Sequence, residues 1–473
     1  MKRQGMIPVL LLTALALMAG LTGCGPTATP TAVPPVDTGG AEVPSEKPYA
    51  GTTIYIIGET VPPMDYVAEL LPLFEEETGI TVEFEQAPYE QVVEKETLDL
   101  SSKTGNYDVI STPYEFLGSY VENGFIQPID PFLAQPELVG ADFDQEDLIQ
   151  GMWDSSGTWK GQHYGFTSNT SIHMLFYRKD LFENPDEMAA FKAKYGYDLK
   201  VPATWDEYLD VAEFFTRAAG DMLAGQVLEQ PFYGVSIGGK RHPTIVLEWL
   251  NYSWSMGGGV FDDQGNLAVN TEANRKALDY FKELAKFAPP GYDNYSWDEV
   301  FVAFTQGQAA MSINWNDYTA ATEDPDQSKV AGITGYATLP VDATINKPVA
   351  HFGPWTWFIP STAKSPEAAF LFLRWIASKE IQTEMAKKGA FPIRTSVYQD
   401  PAFADRPYWN AVMAVLEIST PRPRIPEWPQ MADVMMLALS NNLTGQWDDA
   451  QTLEYLDTEY SRILEGKLPV SYQ

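Results

Sequence analysis

The sequence predicts a two-lobed α/β protein, and its length together with a pattern near the start of the folded part supports that prediction. Residues 50–473 are too many for one hydrophobic core and suit two lobes of about 200 residues each. A β-branched run at residues 52–57 precedes apolar residues at helical spacing between 67 and 74, and a second strand-like run follows at residues 80–84. This order is a β-α-β unit, the building block of α/β folds.

The N-terminus predicts export and attachment to a membrane. Lys2 and Arg3 precede an apolar run over residues 7–21, and small residues stand before Cys24. We therefore expect residues 1–23 to be a signal peptide that is cleaved in front of Cys24, and similarity to bacterial lipoproteins implies acylation of that cysteine. The alternative is an uncleaved membrane anchor with an incidental cysteine. Both place the body of the protein outside the cytoplasm, and the single cysteine excludes a disulfide within the chain.

Residues 24–49 predict a disordered tether. Their composition is rich in Pro, Thr, Ala, Gly and Val, which does not favour a packed core. Fully extended, about 25 residues at about 3.1 Å each reach roughly 75 Å. The folded body would then stand clear of the membrane to which the lipid attaches it.

Charge and composition argue against several partners and cofactors. The formal net charge of −33 predicts repulsion from nucleic acid and from anionic membrane surfaces. The four histidines, His163, His173, His242 and His351, lack the spacing of metal ligands, and no second cysteine is present. We therefore expect no metal ion and no cofactor.

The region around Trp315 predicts a strand that ends in a ligand-facing tryptophan. A capping box, Ser296 with Glu299, begins a helix, and an apolar strand-like run at residues 309–313 follows it. Trp315 and Asp317 come directly after that run. An indole beside amide and carboxylate groups suits a sugar, whose C–H faces pack on aromatic rings while its hydroxyl groups need hydrogen-bond partners. The alternative is that Trp315 is a core residue.

Four segments carry a resemblance to a known family. Residues 307–314 fit G-x-x-A-M-x-I-N, residues 176–182 resemble Y-Y-x-K-x-L-F, residues 202–208 resemble P-x-T-W-D-E-Y, and residues 389–396 fit G-x-x-P-x-R-x-S. These patterns are similar to segments of the family 1 extracellular solute-binding proteins, the group that includes maltose-binding protein. The similarity runs in order through most of residues 50–470.

The resemblance implies a periplasmic-binding-protein-like fold, in which hinge crossovers join two lobes and a ligand cleft lies between them. The crossovers are expected near Phe166 and Leu339. The expected boundaries are 50–166 and 338–398 for lobe I, and 167–337 and 399–473 for lobe II.

The resemblance also implies a function. The protein would be the substrate-binding lipoprotein of an ABC importer, a monomer that binds a sugar or polyol and delivers it to the permease subunits. It would lie in the cell envelope, outside the cytoplasm, attached to the membrane by its lipid. No enzymatic activity is expected. Within the binding class, the alternative is a receptor for a peptide or another non-sugar solute.

The remaining candidates for the ligand site lie at strand ends, at a predicted crossover, or beside glycine-containing and family-specific turns. They are Glu59, Tyr114, Glu115, Asn169, Trp254, Trp355, Trp357 and Arg394. Tyr114 and Glu115 follow a strand and would lie at the carboxyl edge of the sheet, where open α/β sheets bind ligands. Trp355 and Trp357 are two apart, so as strand residues they would face the same side. For the aromatic candidates, packing in the core is the alternative.

An enzyme interpretation depends on the G-x-S-x-G pattern at residues 234–238. This is the pattern of the nucleophile elbow in α/β hydrolases, and Asp317 and His351 follow it in the required order. A secreted hydrolase that uses Ser236 is therefore the alternative function. Against it, a helix should begin directly after the serine, whereas the next residues are rich in glycine and proline.

Overall fold

The computed structural model describes residues 47–471. The predicted signal peptide, Cys24 and the tether as far as residue 46 lie outside the described residues. Residues 49–471 belong to one compact unit. None of the helices within residues 47–471 combines the length and the apolar character that crossing a bilayer requires.

The described strands are short and are distributed over the whole unit. In chain order they are β1 (Thr53–Glu59), β2 (Thr81–Ala87), β3 (Val109–Pro113), β4 (Thr158–Trp159), β5 (Gln162–His163), β6 (Gly165–Thr167), β7 (His173–Arg178), β8 (Met222–Leu223), β9 (Gln226–Val227), β10 (Tyr233–Ser236), β11 (Ala309–Trp315), β12 (Thr334–Ala337), β13 (Ala350–Phe352), β14 (Trp355–Phe358) and β15 (Ser419–Pro421).

The α-helices alternate with these strands and then dominate the C-terminal third of the chain. They are α1 (Pro62–Thr78), α2 (Tyr89–Ser102), α3 (Leu117–Glu122), α4 (Asp130–Leu133), α5 (Pro136–Val139), α6 (Gln150–Gly157), α7 (Lys179–Phe182), α8 (Pro185–Tyr195), α9 (Trp205–Phe215), α10 (Pro243–Ser255), α11 (Glu272–Ala285), α12 (Trp297–Thr305), α13 (Thr319–Thr322), α14 (Pro366–Ile376), α15 (Lys379–Lys388), α16 (Thr395–Tyr398), α17 (Trp409–Leu416), α18 (Trp428–Leu443) and α19 (Asp449–Ile463).

The first sheet has the strand order β2-β1-β3-β14-β6. Strand β1 is parallel to β2 and β3, whereas β14 is antiparallel to β3 and β6. Helix α1 buries its apolar residues between 67 and 74 in the same core as Ile54 and Ile56 of β1, and it ends at Gly79 in the left-handed conformation (φ 72°). The predicted β-α-β unit is therefore confirmed.

The second sheet has the strand order β10-β11-β7-β12. Strand β10 is parallel to β11, and β7 is antiparallel to both β11 and β12. Strand β11 is buried along its whole length, because helix α12 packs against it on one side. The capping box of Ser296 and Glu299 at the start of α12 is present, as predicted.

The chain passes between the two sheets at two places. Strand β6 belongs to the first sheet and β7 to the second, so the first crossing lies between residues 167 and 173. Strand β12 belongs to the second sheet and β14 to the first, so the chain returns between residues 337 and 355. This arrangement is a two-lobed α/β fold, as the sequence predicts. The residue boundaries of the lobes stay a prediction.

A small two-stranded sheet lies beside the second crossing. Strand β13 pairs in parallel with β15, so that Phe352 lies opposite Pro421. The residues that follow these two strands, Gly353 and Arg422, thereby reach the same region between the lobes. This pairing joins segments far apart in the sequence, and it completes one wall of the site described next.

Candidate ligand-binding site

A cavity with about 50 Å³ of free space lies between the two sheets. The carboxyl ends of β1, β3 and β11 and the start of β14 reach it through Glu59, Pro113, Trp315 and Trp355. Ligands of open α/β sheets bind outside the carboxyl ends of the strands. The cavity is therefore the candidate ligand site.

Six of the ten side chains that the sequence predicts at the ligand site line this cavity. They are Glu59, Glu115, Asn169, Trp315, Asp317 and Trp355. They come from both lobes and from the first crossing, and the fold brings them together although they are spread over about 300 residues. Their contact with a ligand stays a prediction.

Aromatic side chains from both lobes line the cavity. They are Tyr89, Trp297, Trp315, Tyr318 and Trp355. The ring of Tyr89, at the start of α2, lies edge-on to Trp297 at 5.4 Å and to Trp355 at 5.9 Å between centroids. Since Trp297 begins α12 in the second lobe, the rings meet across the cavity. Such rings offer flat apolar surfaces to the C–H groups of a small polar ligand.

The position of Trp315 is fixed by its neighbours. Its ring centroid lies 4.1 Å from that of His173, the opposite residue in β7. A Cβ atom at Gly353 would lie only 2.3 Å from Cη2 of Trp315, so the lack of a side chain at position 353 admits the indole. Trp315 is only 8% exposed, but it still lines the cavity. The indole is thus both packed and available to a ligand.

Asp317 is the centre of a hydrogen-bond network at the first crossing. The amide of Asn169 donates to Oδ1 of Asp317 at 2.6 Å, and the hydroxyl of Ser171 donates to Oδ2. Asn169 also donates to Oγ of Ser171 at 3.1 Å. Burial raises the pKa of the Asp317 carboxyl to about 7, although both hydrogen bonds oppose the shift. The network holds three polar side chains on one wall of the cavity.

We predict that Asp317 makes the ligand-free protein less stable as the pH rises from about 4 to about 7. Its pKa increases from the usual 3.8 to about 7 on folding. The folded protein therefore binds more protons at this residue than the unfolded chain, so the stabilisation is complete below pH 3.8 and is lost as the pH rises through about 7.

Melting temperatures measured between pH 4 and pH 8 test this prediction. The decline with rising pH should be smaller in Asp317→Asn than in the wild type. Asp263→Asn, which changes an exposed aspartate, should follow the wild type. Equal declines in all three proteins would mean that Asp317 does not titrate in this range.

A buried ion pair closes another side of the cavity. Arg422 donates from Nη1 to Oε1 of Glu115, and the two side chains are 7% and 5% exposed. Burial raises the pKa of Glu115, and the positive charge of Arg422 reduces that shift. Oε2 of Glu115 and Nε of Arg422 have no hydrogen-bond partner in the described part of the chain. The pair therefore retains unused hydrogen-bonding capacity next to the cavity.

Two aromatic candidates from the sequence lie in the core instead of the cavity. Tyr114 is fully buried against Phe352, and its hydroxyl accepts a hydrogen bond from the backbone N–H of Arg422. Trp357 is fully buried beside Phe372, at 5.3 Å between ring centroids. The predicted location of both is corrected. Trp357 lies opposite Ser111, two residues further from the cavity than Trp355, whose partner is the cavity-lining Pro113.

Trp254 and Arg394 are also placed away from the cavity, and their predicted location is corrected too. Trp254 stacks on His351 at 5.2 Å and lines a separate open groove beside Gly257–Gly259. Arg394 is buried in the first lobe, where it donates to the carbonyl oxygen of Ala377 at 2.6 Å and to that of Asp144 at 2.8 Å. Its charge is used to join loops of the fold.

Five side chains that form much of the wall were not predicted from the sequence. They are Tyr89, Ser171, Trp297, Tyr318 and Arg422. Trp297 had a local signal, because it directly follows the helix-capping Ser296 and therefore lies at a helix start. Arg422 stands between two prolines, which makes its segment extended, but its partner Glu115 has no sequence signature.

The residues of the hydrolase interpretation do not form a catalytic arrangement. The hydroxyl of Ser236 donates to the carbonyl oxygen of Val300 at 3.0 Å. His351 stacks on Trp254, and the Asp317 carboxylate accepts from Asn169 and Ser171. A nucleophilic serine requires a hydrogen bond to its base, and among the described residues no such bond joins these side chains. Residues 47–471 also contain no group of His, Cys, Asp or Glu that could hold a metal ion.

The chain forms two lobes that are linked by two crossings, and a cavity lined with aromatic rings and carboxylates lies between them. This is the architecture of a solute-binding protein. The chain belongs to the family of bacterial extracellular solute-binding proteins, since the family's sequence model matches residues 58–383, more than half of its length. This match confirms the family predicted from the sequence motifs.

Individual relatives agree with the family assignment. A probable amino-acid ABC transporter periplasmic-binding protein of Sinorhizobium fredii is 27% identical over 78% of this chain and 79% of its own length. A mannitol-binding protein of Pseudomonas aeruginosa is 23% identical over 76% of this chain and 80% of its own length. The crystal structure of an ABC transporter solute-binding protein from Agrobacterium radiobacter K84 in complex with ribitol matches with a TM-score of 0.78 and 29% identity, covering 88% of this chain and all of that chain.

Proposed function

We propose that this protein binds a sugar or polyol in the cavity and delivers it to the permease of an ABC importer. The observation that carries the proposal is that aromatic rings and hydrogen-bonding side chains line the same cavity. Trp315 provides such a ring, and the Asp317 network provides the hydrogen-bonding groups. A polyhydroxy solute needs both surfaces, since its C–H groups pack on rings and its hydroxyl groups need donors and acceptors. The relatives described as binding mannitol and ribitol support this ligand class.

Ligand-dependent melting of the purified protein tests the proposal. Ribitol, mannitol, erythritol and maltose would be added in separate samples, because solutes that bind only the folded state raise its stability. A ligand at 100 times its dissociation constant adds about 2.7 kcal/mol. At least one of these solutes should raise the melting temperature in a concentration-dependent way. An unchanged melting temperature with a broad panel of sugars and polyols would refute a carbohydrate ligand.

A second candidate ligand is an amino acid, which the description of the Sinorhizobium fredii relative suggests. An amino acid carries a carboxylate that needs a cation. Arg422 is already paired with Glu115, and the other charged side chains on the cavity wall, Glu59 and Asp317, are acidic. The cavity therefore suits a carbohydrate better, and a set of amino acids in the same melting experiment distinguishes the two.

We infer that closure of the lobes accompanies binding. The ring of Tyr89 in the first lobe contacts His242 at 5.5 Å and Trp297 at 5.4 Å in the second, and Glu90 pairs with Lys240 at 3.0 Å. A ligand that enters the cavity would require these contacts to separate and re-form around a hinge.

Small-angle X-ray scattering tests this closure. A saturating solute from the melting screen should lower the radius of gyration relative to the ligand-free protein. Tyr89→Ala, which removes the ring contacts of Tyr89 with His242 and Trp297, should increase the radius of gyration of the ligand-free protein. A radius that changes in neither experiment would contradict hinge closure.

We also propose that Cys24 is lipidated and becomes the mature N-terminus, which would place this monomeric protein on the outer side of the membrane. The prediction depends on the small residues in front of Cys24 and on the tether of residues 24–49. Wild-type protein should partition into a detergent phase, whereas Cys24→Ala should remain in the aqueous phase and be processed differently. Identical partition and processing of the two proteins would reject the lipoprotein assignment.

The proposed function does not include catalysis. Ser236 is interpreted as a structural residue, because its hydroxyl is bonded to a backbone carbonyl group. Turnover of chromogenic esters or glycosides that disappears in Ser236→Ala would instead favour the hydrolase alternative.

A further inference from the structure

Glu59 is a buried carboxylate of the cavity, and it has no hydrogen-bond partner among the residues that the structure describes. It is the last residue of β1, it is only 5% exposed, and it lines the cavity. Within residues 47–471, no group donates a hydrogen bond to its carboxylate. Burial of a carboxylate without donors is unfavourable, so buried carboxylates are normally paired or hydrogen-bonded. The missing donors are therefore expected to come from what occupies the cavity.

The acidic groups around Glu59 offer it no hydrogen-bond donor. Its electrostatic neighbours are Asp298, Asp317 and Glu90, and all three are acidic. The groups that donate to these acids are already engaged: Tyr318 donates to Asp298 at 2.6 Å, and Lys240 donates to Glu90 at 3.0 Å. The Asp317 carboxylate likewise takes the donors of the first crossing.

The cavity has an excess of acidic groups. Glu59, Glu115 and Asp317 line it, whereas Arg422 is the one Lys or Arg side chain among the described residues on its wall. Arg422 is paired with Glu115, so no cation is left for a negatively charged ligand. A carboxylate or phosphate in the cavity would lie among acidic side chains with no free cation to pair with, which is unfavourable.

We propose that Glu59 determines the specificity of the site by binding a donor group of the solute, a hydroxyl or an ammonium, and that the cavity rejects carbohydrates that carry a carboxylate or phosphate. The proposal rests on the proposed function and narrows its ligand class to neutral or amino-substituted polyhydroxy solutes. Donors from the ligand would also favour the ionised form of Glu59, whose pKa burial and the nearby acidic groups raise well above its usual range.

Matched solutes that differ in one terminal group test the proposal by calorimetric titration of the intact protein at pH 7. One series is sorbitol, glucamine and gluconate, and the other is ribitol, its terminal amine and its terminal acid. The acid should bind at least about 100-fold more weakly than the alcohol, as expected for a like-charge contact in a desolvated site. The amine should bind at least as tightly as the alcohol.

Glu59→Gln keeps the shape of the side chain and removes its charge. In this variant, the ratio of the dissociation constants of the acid and the alcohol should be at least about tenfold smaller than in the wild type. Glu59→Asp, which keeps the charge, should still reject the acid even if it binds the alcohol more weakly. Glu122→Gln, a change on the surface where Glu122 pairs with Lys160, should behave like the wild type. Melting temperatures of all variants show that each is folded.

Two results would overturn the inference while leaving carbohydrate binding intact. The first is an acid that binds within threefold of its alcohol, and the second is an acid-to-alcohol ratio that Glu59→Gln does not change. Failure of every member of both series to bind, together with a negative melting screen, would instead overturn the proposed function and this inference with it.

Discussion

Replacement of Arg422 by methionine is expected to destabilise the ligand-free protein by about 3–5 kcal/mol, the usual effect of removing one partner of a buried ion pair. The reason is the position of Glu115, whose side chain is 5% exposed and has Arg422 as its cationic partner. Without that partner, the Glu115 carboxylate is buried as an uncompensated charge. Denaturant unfolding of wild type and Arg422→Met, at pH 7 and without ligand, measures the difference.

Two further variants separate this effect from a general loss of an arginine. Arg462→Met removes an exposed arginine that pairs with Glu459 at 2.7 Å, and it should change stability by less than about 1 kcal/mol. The double variant Glu115→Gln with Arg422→Met removes both charges, and it should regain much of the lost stability because no ion remains buried. A single Arg422→Met variant as stable as Arg462→Met would show that the pair is not buried in solution.

The sequence predicted those parts of the fold and site that depend on local patterns. The periodicity around α1, the capping box of Ser296 and Glu299, and the apolar run of β11 each need only neighbouring residues, and each is present. Strand ends could be located in the same way. Because ligand sites of open α/β sheets lie at carboxyl strand ends, Glu59 and Trp315 could be placed from the sequence.

The missed residues depend on contacts between distant segments. Arg422 reaches the cavity because β15 pairs with β13, about 70 residues earlier in the chain. No local sequence pattern predicts that pairing. Tyr89 lines the cavity because α2 approaches the start of α12 in the other lobe. Both contacts are set by the arrangement of the lobes, which periodicity in either segment does not encode.

The pair of tryptophans in β14 shows a different limit. A period of two predicts which side of a strand a side chain takes, but it does not tell how far along the sheet the ligand lies. Trp355 pairs with Pro113 where β14 begins and β3 ends, whereas Trp357 pairs with Ser111 two residues further into the sheet. The distance between two alternate residues, nearly 7 Å at about 3.3 Å per residue, separates a cavity wall from a core.

Trp315→Ala is therefore expected to weaken ligand binding, whereas Trp357→Ala is expected to lower folding stability. Trp357 is fully buried against Phe372, so its loss should cost about 3–5 kcal/mol of folding stability, as for other large core side chains. The fraction that remains folded should bind the solute as tightly as the wild type. Trp315 borders the cavity, where water can fill the vacated space, so its loss should affect binding more than folding.

Removal of the Trp315 indole should weaken binding by about 1–3 kcal/mol, from lost apolar burial and lost ring contact. This corresponds to an affinity about five- to 150-fold lower, since 1.4 kcal/mol is a factor of ten. Each variant is measured in two ways. Calorimetric titration with the solute identified in the melting screen gives its affinity, and unfolding without ligand gives its stability. If Trp315→Ala unfolds as easily as Trp357→Ala while its folded fraction binds like the wild type, Trp315 is a core residue. The aromatic wall would then have to depend on Trp297 and Trp355, the other tryptophans that line the cavity.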